Sequence, residues 1–171
     1  MANKTTFTSE EWSHIAGSVM VSSMAVTASD PSGLFGLMKE GMAGGWAMLE
    51  ARRDPQANEL VKAVSNDFAT PETREAIRGR LQSTFKVKDA AEIKTKALEE
   101  LRTVAALLDT KAPGDAAAFK SWLRDIGQKT AEAANEGGFL GFGGVRVSDL
   151  EKATLADIAT ALNTPAAGAR A

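Results

Sequence analysis

Helix-start signals recur along this chain at short intervals, and they leave little room for any other kind of element. Thr8 and Glu11 stand in the T-x-x-E spacing of a capping box, in which the hydroxyl takes the third helical amide and the carboxylate returns to the cap's own amide. Phe7, one residue ahead, is placed to staple the entry of this helix. Asp30-Pro31, Asp54-Pro55 and Thr70-Pro71-Glu72 each set a cap residue before a proline, whose missing N–H costs nothing in a first helical turn. Asp89 with Glu92, and Ser148 with Glu151, add two further starts.

Behind these starts, apolar residues return at helical spacing. Trp12, Ile15, Ala16, Val19 and Val26 mark the inward face of a first helix that should end near Ser29. Leu34, Leu37, Met38, Met42, Trp46 and Leu49 mark a second, opened by Asp30-Pro31. A third, opened by Asp54-Pro55, carries Leu60, Val61, Val64 and Phe68, and a fourth carries Ile77, Leu81 and Phe85. The fifth runs through Ile93, Leu98, Leu101 and Leu108 to about Asp109. The sixth starts near Asp115 with Phe119, Trp122, Leu123 and Ile126 inward, and stops at Asn135-Glu136-Gly137-Gly138. The last carries Leu150, Leu155, Ile158 and Leu162 and ends at Thr164-Pro165. No alternating strand pattern accompanies them. The expected fold is all-α: a single-domain bundle of about seven helices over residues 1–163, with a Gly/Phe-rich loop before the last helix and a frayed tail over 164–171.

Composition then removes several chemistries. Twenty basic against 22 acidic residues give a net charge of −2, unlike the basic excess of a dedicated nucleic-acid binder. Cysteine is absent, which excludes disulfides, thiol catalysis and thiolate zinc sites. A di-iron bundle site needs two E-x-x-H pairs, and the chain offers one, Glu11 to His14, with no second histidine. Glu11 is read as a cap, and His14 as a helix-face histidine bonded to a local partner or water. No metal and no cofactor are expected. Arg74, Arg78, Arg80, Lys86 and Lys88 form a basic cluster, read as the solvated face of an amphipathic helix. Trp12 to Ser29 contains no Asp, Glu, Lys or Arg, yet Glu10 and Glu11 stand where an export signal carries basic residues. The segment is therefore read as a core helix, with no membrane span and a cytoplasmic location.

Two glycine-bearing segments remain as candidate contact sites. Gly41 and Gly45 are four apart on the second helix, where each interior glycine costs about 1 kcal/mol relative to alanine, so a close approach is expected there. The loop over 136–148 holds five glycines with Phe139 and Phe142. Three readings compete: an apolar plug closing the bundle end, an exposed patch meeting a partner, and an anion cradle formed by loop amides, Gly143, Gly144 and Arg146 at the start of the last helix. Neither dinucleotide nor P-loop spacing is present.

The run from Glu136 to Leu162, EGGFLGFGGVRVSDLEKATLADIATAL, resembles the C-terminal segment of a family of small bacterial all-helical proteins. Asp30-Pro31-Ser32-Gly33 and Leu37-Met38-Lys39-Glu40-Gly41 resemble the same family. The resemblance covers most of the chain and brings no established activity or catalytic residues. A more remote similarity joins Val147-Ser148-Asp149-Leu150-Glu151 to the Val/Ile-Ser-x-x-Glu helix start of TerB-type tellurite-resistance proteins, whose acidic metal residues have no clear counterpart here. The expected role is binding of a protein partner or self-assembly into a homo-oligomer, rather than side-chain catalysis. A small-ligand or anion-binding stress protein is the second reading, and an enzyme built from Asp, Glu, Lys and Ser the third.

Overall fold

The computed structural model describes residues 1–29, 47–86, 89–136 and 147–164, and every regular element among them is helical. A short 3-10 turn (Lys4–Thr6) precedes α1 (Ser9–Thr27). Residues 47–53 form α2. They are followed by α3 (Glu59–Asp67), α4 (Pro71–Thr84), α5 (Ala90–Lys111), α6 (Pro113–Glu136) and α7 (Asp149–Ala161).

α1 is the axis of the fold. It packs most extensively on α5 and α6, and also meets α3, α4 and α7. Trp12, Ile15, Ala16, Val19 and Val26 are buried as their spacing predicts. Its capping box is closed: Glu11 accepts from the Thr8 amide at 2.8 Å, and Thr8 Oγ1 accepts from the Glu11 amide at 3.2 Å. Phe7 is buried against Trp12, ring centroids 5.9 Å apart, which completes the staple. Among the described residues no helix is long and apolar enough to cross a membrane.

A helix surrounded on several sides must also bury its hydroxyls. Ser18 donates to the Ile15 carbonyl at 2.6 Å, Ser22 to the Leu123 carbonyl of α6 at 2.8 Å, and the Ser23 and Thr130 hydroxyls share a 3.1 Å hydrogen bond. These small side chains let α6 come close. Gly127 leaves little room at the crossing: a Cβ there would stand 3.3 Å from both Ser22 Oγ and Ile158 Cδ1, and 3.5 Å from Leu155 Cδ2. One glycine of α6 thus sits where α1, α6 and α7 meet.

Three local expectations are corrected. Asp54-Pro55 does not open α3. Asp54 instead closes an Asx turn on the Gln56 amide at 2.8 Å, and Asn58 is the cap, accepting from the Leu60 and Val61 amides. Asn58 also donates to Asp115 at 2.8 Å, a tie to α6 that Asp54 does not make. Leu150 is 59% exposed, because the inward face of α7 runs through Glu151, Thr154, Ile158, Ala161 and Leu162 instead. α6 begins at Pro113, two residues before Asp115, whose carboxylate accepts from the Ala2 amide at 2.7 Å.

The starts at Thr70, Asp89 and Ser148 are as read. Asp89 caps α5 on the Glu92 amide, Thr70 caps α4 with Pro71 in its first turn, and Ser148 and Glu151 close a second capping box. α7 ends in a Schellman turn. Asn163 takes a positive φ of 54°, its amide bonds the Thr160 carbonyl, and the Thr164 amide bonds the Ala159 carbonyl.

Two glycines test this packing in opposite directions. Gly79 lies on the exposed face of α4 with nothing within 4 Å of an added Cβ, so Gly79→Ala should stabilise the fold by about 0.5–1 kcal/mol. Gly127→Ala must displace a core isoleucine and a bonded serine, and should destabilise by roughly 1–3 kcal/mol despite the same gain in helix propensity. Urea denaturation of both variants measures the contrast.

Candidate functional site

The side chains with the most chemistry are drawn together at two polar junctions and one cleft. The first junction joins α1, α4 and α5. Glu100 on α5 is buried and pairs with Arg80 Nη2 from α4, while His14 Nδ1 of α1 lies 2.5 Å from the same carboxylate oxygen. Arg80 Nη2 also lies against His14 Nδ1, so the three side chains converge on one point. The histidine therefore has a carboxylate partner distant in sequence, correcting its reading as a locally bonded residue. Ser18 bonds the backbone and not the imidazole. Arg80 leaves the basic cluster to make this contact, whereas Arg74, Arg78 and Lys86 are exposed, as a solvated face requires. Arg80 Nη1 is buried without a hydrogen-bond partner among the described residues.

The second junction centres on Asp67, at the end of α3. It accepts from Trp12 Nε1 at 2.7 Å, from Thr73 Oγ1 at 2.8 Å and from Lys4 Nζ at 3.0 Å. Burial pushes its carboxyl up, but the hydrogen bonds from Trp12, Lys4 and Thr73 and the Lys4 charge outweigh burial and hold it below the ordinary aspartate value. Glu11 is likewise held low, by the Lys111 ammonium donating to it at 2.7 Å and by the Thr8 amide. Its carboxylate is committed to the cap and to Lys111. Among the described residues no group of three or more His, Asp or Glu side chains is placed to hold a metal ion.

The cleft lies between α2, the 54–58 turn, α3 and α6. Its volume is about 420 Å³, within the range of ligand-sized pockets. Ala47, Ala51, Val61 and Ile126 are buried along it, and Trp122 forms a half-buried wall. Trp122 is held edge-on by Phe119, centroids 5.3 Å apart. The rim carries Glu50, Asp54, Asp125 and Lys129, with Lys129 paired to Glu50 across the opening. The α6 residues that line it, Ala118, Ser121, Trp122, Asp125, Ile126 and Lys129, follow one helical face.

The candidate residues read from the sequence, Gly41, Gly45, Phe139, Phe142, Gly143, Gly144 and Arg146, lie outside the described residues, as does the Asp30-Pro31 start. Trp122, expected on the inward face of α6, is half-buried at the cleft wall. The cleft itself depends on α2 and α6 lying side by side, a pairing that local spacing does not encode. No family model matches the chain, nor does any curated protein or solved structure.

Three variants separate the roles of these junctions. Glu100→Ala leaves the Arg80 guanidinium without its carboxylate and should cost about 3 kcal/mol, and the double variant Arg80→Met/Glu100→Leu should recover most of that loss in urea denaturation. Asp67 has a lowered folded-state pKa, so its stabilisation is complete above the unfolded value, about 3.9, and is lost as pH falls through the folded value. Asp67→Asn should therefore be less stable than wild type near neutrality, and should lose less further stability on acidification below about pH 4. Urea midpoints across this range report both effects.

Proposed function

We propose that this chain works by binding a protein partner, with the Trp122 cleft as the contact surface. The observation that carries the reading is a half-buried tryptophan, braced by Phe119, on the wall of a cleft lined by alanines and rimmed by charge. Tryptophan in a partly desolvated pocket is the side chain most enriched among residues that dominate binding energy, and an apolar floor with a polar rim is the usual anatomy of an interface. Small residues at 47, 51, 57 and 118 leave room that the chain's own described side chains do not fill. The polar junctions support the same reading. Glu100, Arg80, Asp67 and Trp12 are engaged with one another or with neighbouring helices, and hold the scaffold on which the cleft is set.

Site-specific photo-cross-linking in the native host tests it. A benzoylphenylalanine at Ala118, exposed on the cleft edge, should give a discrete adduct with another polypeptide, while the same group at Arg78, on the solvated face of α4, should not. An adduct at neither position, or equal yields at both, would overturn the assignment.

A further inference from the structure

The charges around the cleft narrow the partner's chemistry. Three carboxylates, Glu50, Asp54 and Asp125, face one ammonium, Lys129. Glu50 neutralises Lys129 through their ion pair. Asp54 accepts the Gln56 amide and has no cation in ion-pair range among the described residues. Asp125 meets Arg124 only at 3.5 Å. The opening therefore carries an acidic excess above an apolar floor.

Its shape adds a second constraint. The Glu50–Lys129 pair marks one end of the α6 face, and the Asn58–Asp115 hydrogen bond ties the chain beyond the other. Between Ala118 and Lys129 the lining runs for roughly 16 Å along α6, at 1.5 Å per residue, which is three turns of a docked helix. Asp125 stands one turn from Trp122 on the same face, so a cationic side chain laid along the indole reaches a carboxylate at its tip.

Resting on the proposal that this cleft is a partner surface, we infer that its occupant is a short amphipathic helix of a partner protein, with large apolar residues facing the alanine floor and Lys or Arg beside Asp54 and Asp125. The alanines require bulk from the partner, and the acidic rim selects cations and repels acidic segments. A polyamine would satisfy the carboxylates and leave the apolar floor uncovered. A second copy would have to bring a basic helix against this same rim.

The test uses two fluorescent helical peptides of about three turns. They share one apolar stripe and differ in flanking Lys or flanking Glu. The Lys peptide should bind saturably by fluorescence anisotropy and at least about tenfold more tightly than the Glu peptide, with the preference shrinking as salt rises from about 0.1 M to about 1 M. Asp54→Asn with Asp125→Asn, both at exposed positions, should lower its affinity about tenfold or more while leaving the thermal melt in place. Equal affinity for the two peptides, no binding of the Lys peptide, undiminished binding after its apolar stripe is replaced by serine, or displacement by equimolar spermine would each overturn the inference. An Ala118 cross-link to a second copy of this chain would overturn it too. Peptide failure with a retained heterologous Ala118 adduct removes only the basic-helix assignment, whereas loss of the adduct removes the cleft as a partner surface altogether.

Discussion

Surrounding α1 with other helices takes the hydroxyls of Ser18, Ser22 and Ser23 out of water, and a buried hydroxyl left unpaired costs about 1–3 kcal/mol. The fold answers with bonds to the Ile15 and Leu123 carbonyls and to Thr130. Two of these bonds reach α6, so satisfying the central helix also sets the height at which α6 crosses it. Gly127 then faces Ser22 with little room to spare, and α7 lays Ile158 and Leu155 over it. The positions of three helices follow from small polar side chains whose bulk is low and whose hydrogen bonds are directional.

The outer helices are placed by another device, carboxylates that serve several segments at once. Asp67 collects the 3-10 turn through Lys4, α1 through Trp12 and α4 through Thr73. Asp115 joins the Ala2 amide to the cap of α3. Glu100 fastens α1 and α4 to α5. The scaffold behind the cleft is therefore fixed by named bonds as well as by burial, and the cleft between α2 and α6 keeps room over its alanines.

How much of this can be read from residues alone depends on the range of the interaction. The capping boxes at Thr8 and Ser148 and the inward faces of α1, α4 and α5 follow from neighbours three or four apart, and the structure agrees with them. Asp54 shows the limit of that logic. A cap-and-proline pair also makes a turn, and the choice fell to Asn58 because only its side chain both caps α3 and reaches Asp115. The His14–Glu100–Arg80 junction joins residues separated by 86 and 20 positions, so no local pattern announces it. The same holds for Gly127, whose importance comes from helices on either side of it. The cleft is harder still, since alanines and a half-buried tryptophan carry no motif. It exists where α2 and α6 line one opening, with Lys129 paired to Glu50 across it.

The seat of α7 has a consequence for the order in which the protein comes apart. Ile158 and Leu155 rest over a surface that exists only once α1 and α6 have already met around Gly127. α7 can leave that surface while the contact beneath it survives, but α6 cannot leave α1 without undoing the seat of α7. Opening is therefore hierarchical. The backbone amides of α7 should exchange their hydrogens with solvent through a smaller opening than those of α1, one that leaves the central pair folded.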